Sequence, residues 1–146
     1  MFRLIFAQLL LLLTARAADL VPAGIMQHFV PTPCLGPDGE CFTANAEEYS
    51  VLFSQHSVTY SASDFQIAVN FEGASSDLRL APGRRLTTRV SRVTPHGTQI
   101  NQAAYASLEY QSLYPGVDLS YSFSGPAIKS DFMLQPGTSV DTIRLR

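Results

Sequence analysis

Two carboxylates and an amine, Asp118, Asp131 and Lys129, fall within the stretch YPGVDLSYSFSGPAIKSDF, Tyr114 to Phe132. Carboxylates that share a proton must lie close together, and glycosidase pairs work about 5 to 9.5 Å apart in a cleft. The spacing here answers to a different rule. Val117, Leu119, Tyr121 and Phe123 alternate along one face of a strand, and Ile128, Ser130, Phe132 and Leu134 along the matching face of a second. Pairing Phe123 with Ile128 across Ser124, Gly125, Pro126 and Ala127 keeps these faces together and sets the two aspartates diagonally on the polar face, roughly 7 to 8 Å apart. A loop of Ser124 and Gly125 alone would put Asp118 directly opposite Asp131, where like charges cost stability. Pro126 would then stand where the ladder needs an N–H. The longer loop is therefore expected, with Phe132 on the buried face and the aspartates as architecture.

The other chemistry-bearing residues are scattered. His28, His56 and His96 fall on separate elements without Asp or Glu at ligand spacing, which predicts surface or loop histidines. No serine sits in a Gly-x-Ser-x-Gly elbow. Arg84, Arg85, Arg89 and Arg92 could meet an anionic glycan or phosphate, although a solvated strand face explains them as well. Asp38 alone falls far short of the six to eight oxygens that calcium takes. These patterns predict no catalytic residue, cofactor or metal ligand, and so a protein that is not an enzyme.

The opening MFRLIFAQLLLLLTARAADL has a positive residue, an apolar run from Leu4 to Leu13, and the small-x-small sequence Ala15, Arg16, Ala17. This is the layout of a signal peptide, residues 1–17, with cleavage after Ala17. The run is about half the roughly 20 residues a transmembrane helix needs. Removal of Arg3 and Arg16 leaves eight basic residues against twelve acidic ones, a net charge of −4. That sign argues against nucleic acid as a partner and against a membrane surface once the signal is gone. An exported chain, periplasmic, extracellular or on the cell surface, meets oxidising conditions. Cys34 and Cys41, in CLGPDGEC, are led together by the Pro37-Asp38-Gly39 reversal and predict a disulfide. They lack the extra ligands of a metal site and the spacing of a redox pair.

Four prolines and little periodicity predict an extended, disulfide-pinned lead-in over residues 18–46. A β-rich domain is expected over residues 47–146. DFQIAVNFEG alternates throughout, Phe65, Ile67, Val69 and Phe71 against Gln66, Ala68, Asn70 and Glu72. YSVLF, SVTYS, DLRLA, RLTTRVSRV, YASLEY and TIRLR are shorter or less regular runs of the same kind, separated by Gly, Pro, Ser and Asn. The fold class is all-β, an antiparallel two-layer sheet or sandwich-like domain.

The block Tyr114, Pro115, Gly116, Val117, Asp118, Leu119, followed by Asp131-Phe132, Pro136-Gly137 and Ile143-Arg144-Leu145, resembles a family. It is the N-terminal domain of unknown function in secreted bacterial proteins that carry SBBP (beta-propeller) repeats. Residues 49–73 resemble its earlier strands, whereas LTTRVSRVTPHGTQINQ departs from its pattern. The resemblance implies a non-catalytic β module at the start of a larger surface or secreted protein, with downstream repeat domains or cell-surface proteins as partners. It implies no activity. Ending at Arg146 within an expected strand, the chain reads as a fragment, incomplete at its C-terminus, that would self-associate through its C-terminal edge. A carbohydrate-binding β-sandwich is the alternative, and it would require an exposed row of tyrosines. Tyr49, Tyr60, Tyr105, Tyr110, Tyr114 and Tyr121 fall mostly on faces expected to be buried.

Overall fold

The structure, a computed structural model, describes residues 27–34, 39–94 and 97–146. The expected signal at residues 1–17, Asp38 and His96 lie outside these. Eleven strands run in chain order: β1 Val30–Pro33, β2 Glu40–Asn45, β3 Ser50–Phe53, β4 Ser57–Ser61, β5 Gln66–Asn70, β6 Arg79–Pro82, β7 Arg85–Thr94, β8 Gly97–Tyr105, β9 Ser107–Tyr114, β10 Val117–Ser124 and β11 Ala127–Leu134. All pairings are antiparallel. One sheet has the order β1-β2-β3-β4-β5, a second has β11-β10-β9-β6, and β7 and β8 form a two-stranded ribbon. The all-β, sandwich-like class read from the sequence is the one observed.

Period-two burial builds the core. Val51 and Phe53 of β3 turn inward, as do Val117, Leu119 and Tyr121 of β10, and all five are buried. The two sheets meet through rings: Phe53 packs on Tyr121 at 4.9 Å between centroids, and Phe71 on Tyr110 at 4.9 Å, both edge to face. Phe29 joins them, touching Phe53 and Phe123.

The expected lead-in over residues 18–46 differs from what is found. Its described part supplies β1 and β2, with Phe29, Val30, Phe42 and Ala44 buried in the core. Pro31 and Pro33 are compatible with a strand because β1 is at the edge of its sheet. The disulfide between Cys34 and Cys41 is present and ties Cys34, just past the Pro33–Glu40 pair, diagonally to Cys41, which lies opposite Thr32 in the β1–β2 ladder. In the chain-entropy model a loop of this length is worth about 2.5 kcal/mol.

Two further expectations are corrected. TIRLR is not one strand: Val140–Thr142 form a 3-10 helix capped by the Ser139 hydroxyl, and the chain turns extended only from Ile143. Residues 144–146 then pair with residues 70–72, through Glu72 N–H to the Arg144 carbonyl (3.0 Å) and reciprocal bonds between Asn70 and Arg146 (2.8 and 3.1 Å). YASLEY is broken between β8 and β9, where Ala106 N–H bonds the Arg84 carbonyl at 2.9 Å.

Candidate functional site

The β10–β11 hairpin has the expected register, with Phe123 opposite Ile128, Asp118 opposite Met133 and Asp131 opposite Ser120. The ladder runs one pair further than expected, to Ser124 and Ala127, so the loop is Gly125-Pro126. Gly125 takes a positive φ of 56° there, which frees Ser124 and Ala127 to pair.

The two aspartates serve separate ends. Asp118 Oδ1 accepts from Ser112 N–H at 2.6 Å. Ser112 has a φ of 53°, and the β9–β10 register slips beside it. The carboxylate therefore satisfies the donor that a β-bulge leaves without a ladder partner. Asn101 of β8, the other non-glycine residue with positive φ among the described residues, receives the same treatment: its N–H bonds the Ser91 hydroxyl at 3.1 Å. Asp131 pairs instead with Lys129 at 2.9 Å on the exposed face. Such a pair is worth about 0–1 kcal/mol.

The rest of the block ties down backbone. Tyr114, buried, donates its hydroxyl to the Arg144 carbonyl at 2.5 Å, joining the first residue of the block to its Ile-Arg-Leu end. Gly116 has a φ of 75°, and a Cβ there would collide with the Thr138 hydroxyl. Its carbonyl accepts from Gln135 N–H at 2.9 Å. Pro136 and Gly137, the latter at φ 88°, make a turn closed by Thr138 N–H to the Gln135 carbonyl at 3.1 Å. Phe132, expected to be buried, is only half-buried at the rim of the core. Strand β11 is an edge strand, and its inward side chains meet less of the opposite sheet.

The strongest electrostatic perturbations belong to tyrosines. Tyr110 donates its hydroxyl to the Ser54 carbonyl at 2.8 Å, and its ring packs edge-on against Tyr121 at 6.0 Å between centroids, with Tyr60 nearby. Burial pushes all three phenols above their ordinary value, Tyr110 and Tyr121 furthest, with each neighbouring phenol adding to the shift on those two. These groups stay neutral and anchor the inner face. Tyr49 accepts from Ile128 N–H at 3.2 Å, and Tyr105 packs edge-on against Phe42. No tyrosine is exposed.

His56 is exposed, while His28 is half-buried beneath the ribbon, where burial and then the Arg92 charge hold it below the usual imidazole value. Arg84, Arg85, Arg89 and Arg92 lie on or beside β7; Arg89 reaches the Asn101 carbonyl at 3.4 Å, and neither ribbon strand carries an acidic residue. Among the described residues no group of His, Cys, Asp and Glu could hold a metal ion. Among the described residues, one concavity between Glu72, Tyr114, Asp141 and Arg144 lies over the Tyr114–Arg144 bond and is open to solvent. Ser112 and Thr138, which complete the block's contacts, went unnoticed in the sequence because one acts through its backbone N–H and the other through a single hydroxyl.

Fold and block together define a disulfide-bearing antiparallel β-sandwich whose motif residues hold its own chain in place. The chain belongs to the family described as a domain of unknown function, DUF7948, whose family model matches residues 37–146. No curated protein and no solved structure matches it.

Proposed function

We propose that the protein is a non-catalytic structural or interaction module of a secreted or cell-surface protein, preceding downstream repeat domains. One observation carries the reading: the two polar groups of the Tyr-Pro-Gly-Val-Asp-Leu stretch end on the chain's own backbone, Asp118 on Ser112 N–H and Tyr114 on the Arg144 carbonyl. Groups committed in this way are not available to substrate. The disulfide supports export, because such bonds persist in oxidising compartments. The carbohydrate-binding alternative needs exposed stacking rings, and Phe65 is the one exposed aromatic among the described residues.

Export and module character are tested together. The full-length gene, tagged at its C-terminus, is expressed in a bacterial host, and intact cells, periplasm and medium are probed by protease and mass spectrometry. Loss of residues 1–17, an intact Cys34–Cys41 bond and accessibility outside the cytoplasm are expected. A cytosolic chain with two free thiols would overturn the reading.

A further inference from the structure

The charge of the chain is unevenly placed. Residues 78–108, in the interior of the sequence, contain five arginines and no aspartate or glutamate. The remainder of residues 18–146 sets the twelve acidic residues against Lys129, Arg144 and Arg146, a net −9. The overall acidity is therefore an average over two regions of opposite sign. Four of the five arginines, Arg84, Arg85, Arg89 and Arg92, lie on or beside β7.

These cations are not neutralised within the fold. Among the described residues the ion pairs are Lys129 with Asp131 and Arg146 with Glu72, both away from the ribbon. Arg89 gives one of its five guanidinium donors to the Asn101 carbonyl and keeps the others. Arg92 is half-buried; burial lowers its guanidinium, and no carboxylate among the described residues offsets that.

The ribbon spreads the charges in a row. Arg85 stands opposite Tyr105 and Arg92 opposite Gln99, six residues along β8, or at most about 20 Å at 3.3 Å per residue. One small anion does not span that length. The extra residue where the register slips between Val90 and Arg92 belongs to β8, so Arg89, Ser91 and Val93 alternate onto one face of β7, and all three are exposed. Thr87, Thr88 and Thr98 add exposed hydroxyls. Tyr105, the one aromatic residue of the two strands, is packed on Phe42 instead.

We propose that the β7–β8 ribbon binds a linear acidic polysaccharide, one that carries carboxylate, sulfate or phosphate groups at intervals along its chain. Guanidinium groups grip such anions with paired N–H donors, and the interleaved hydroxyls match the neutral hydroxyls of the sugar. Charge rather than stacking supplies the attraction, so the exposed rings that a neutral sugar needs are not required. Their absence also disfavours single-stranded nucleic acid, whose bases stack on aromatic side chains. The exposed large apolar side chains of the ribbon are Val93 and Ile100 alone, little for entry into a bilayer. The acidic remainder of the chain repels the polymer and confines contact to the ribbon. This names a partner for the interaction module proposed above and rests on that reading only for the compartment where such polymers are met. Binding is measured on purified protein, so a failure here leaves the test of export untouched.

The exported protein, purified with its disulfide intact, is titrated against polygalacturonate and dextran sulfate, with neutral dextran as control. Binding to at least one anionic polymer and none to dextran is expected, weakening at least about tenfold as salt rises from about 0.05 to 0.5 M. Arg85→Gln combined with Arg89→Gln should lose about tenfold in affinity at an unchanged melting temperature. Arg89→Gln alone, with about a threefold loss, serves should the double variant not fold. Lys129→Gln, which removes an exposed cation of β11, should lose nothing. Vesicles of phosphatidylglycerol test the competing lipid surface. No binding to either anionic polymer, equal binding to dextran, a loss in Lys129→Gln equal to that in the ribbon variants, or tighter binding to the vesicles that Val93→Ser with Ile100→Ser abolishes overturns the proposal.

Discussion

Removing one oxygen tests whether the Tyr-Pro-Gly block is a latch. In Tyr114→Phe the ring keeps its buried seat, and the loss is the hydroxyl that donates to the Arg144 carbonyl at 2.5 Å. That carbonyl also accepts from Glu72 N–H at 3.0 Å, so the substitution leaves it with one partner rather than none. The cost should therefore sit near the middle of the net range for a hydrogen bond, about 1 kcal/mol. The loss is local. What the bond holds is the pairing of residues 144–146 with residues 70–72, and a local opening made easier by about 1 kcal/mol is populated about fivefold more often. Amide hydrogen exchange reads this directly. Asn70, Glu72 and Arg146, whose N–H groups make the three bonds of that pairing, should exchange about fivefold faster, while Val51 and Val58 in the core keep their rates. Unchanged protection at the three amides, or an equal loss throughout the core, would refute the latch.

Three further outcomes follow from the geometry. Asp118→Asn keeps an oxygen for Ser112 N–H and should be nearly neutral in chemical denaturation, whereas Asp118→Ala should cost about 1 kcal/mol; equal losses would remove the bulge from the account. Phe53→Ala, in the centre of the core, should cost about 3–5 kcal/mol and half-buried Phe132→Ala roughly half of that, so a reversed order would show the hairpin faces wrongly assigned. In base, Tyr110 and Tyr121 have folded values raised above the unfolded one of about 10, so their contribution is complete below that pH and is lost as pH rises. Each should remove about 1.4 kcal/mol per pH unit there. Equilibrium unfolding should show the Tyr110→Phe variant losing stability less steeply than the native chain, by about 1.4 kcal/mol per pH unit, and identical slopes would contradict the burial of that phenol.

Much of the hairpin was legible because two independent constraints agreed. Side-chain alternation fixed which residues share a face, and the cost of opposing aspartates excluded the neighbouring register. The disulfide was legible from spacing and turn chemistry in the same way. Strand β8 was not, because GTQINQ carries polar residues on both sides; it is paired along most of its length with β7 in a ribbon largely open to solvent, where alternation has nothing to report. The prolines of residues 30–33 concealed β1 for a related reason. Proline argues against a strand only where both edges are bonded, and the sequence does not mark which strand lies at the edge.

Strand β5 shows where such reading runs out. An apolar residue at every second position says that a strand has one face needing cover, and it is silent on what provides it. In β3 the cover is the opposite sheet, and Val51 and Phe53 are buried. In β5 the same pattern lies at the margin of the core, and among the described residues nothing covers Phe65 and Ile67. Hydrophobic alternation thus marks a face that can be covered, and only the third dimension shows where the core reaches it. The motif residues fix the ends of strands, Asp118 at the β9–β10 bulge and Tyr114 at residues 144–146, where alternation alone says nothing.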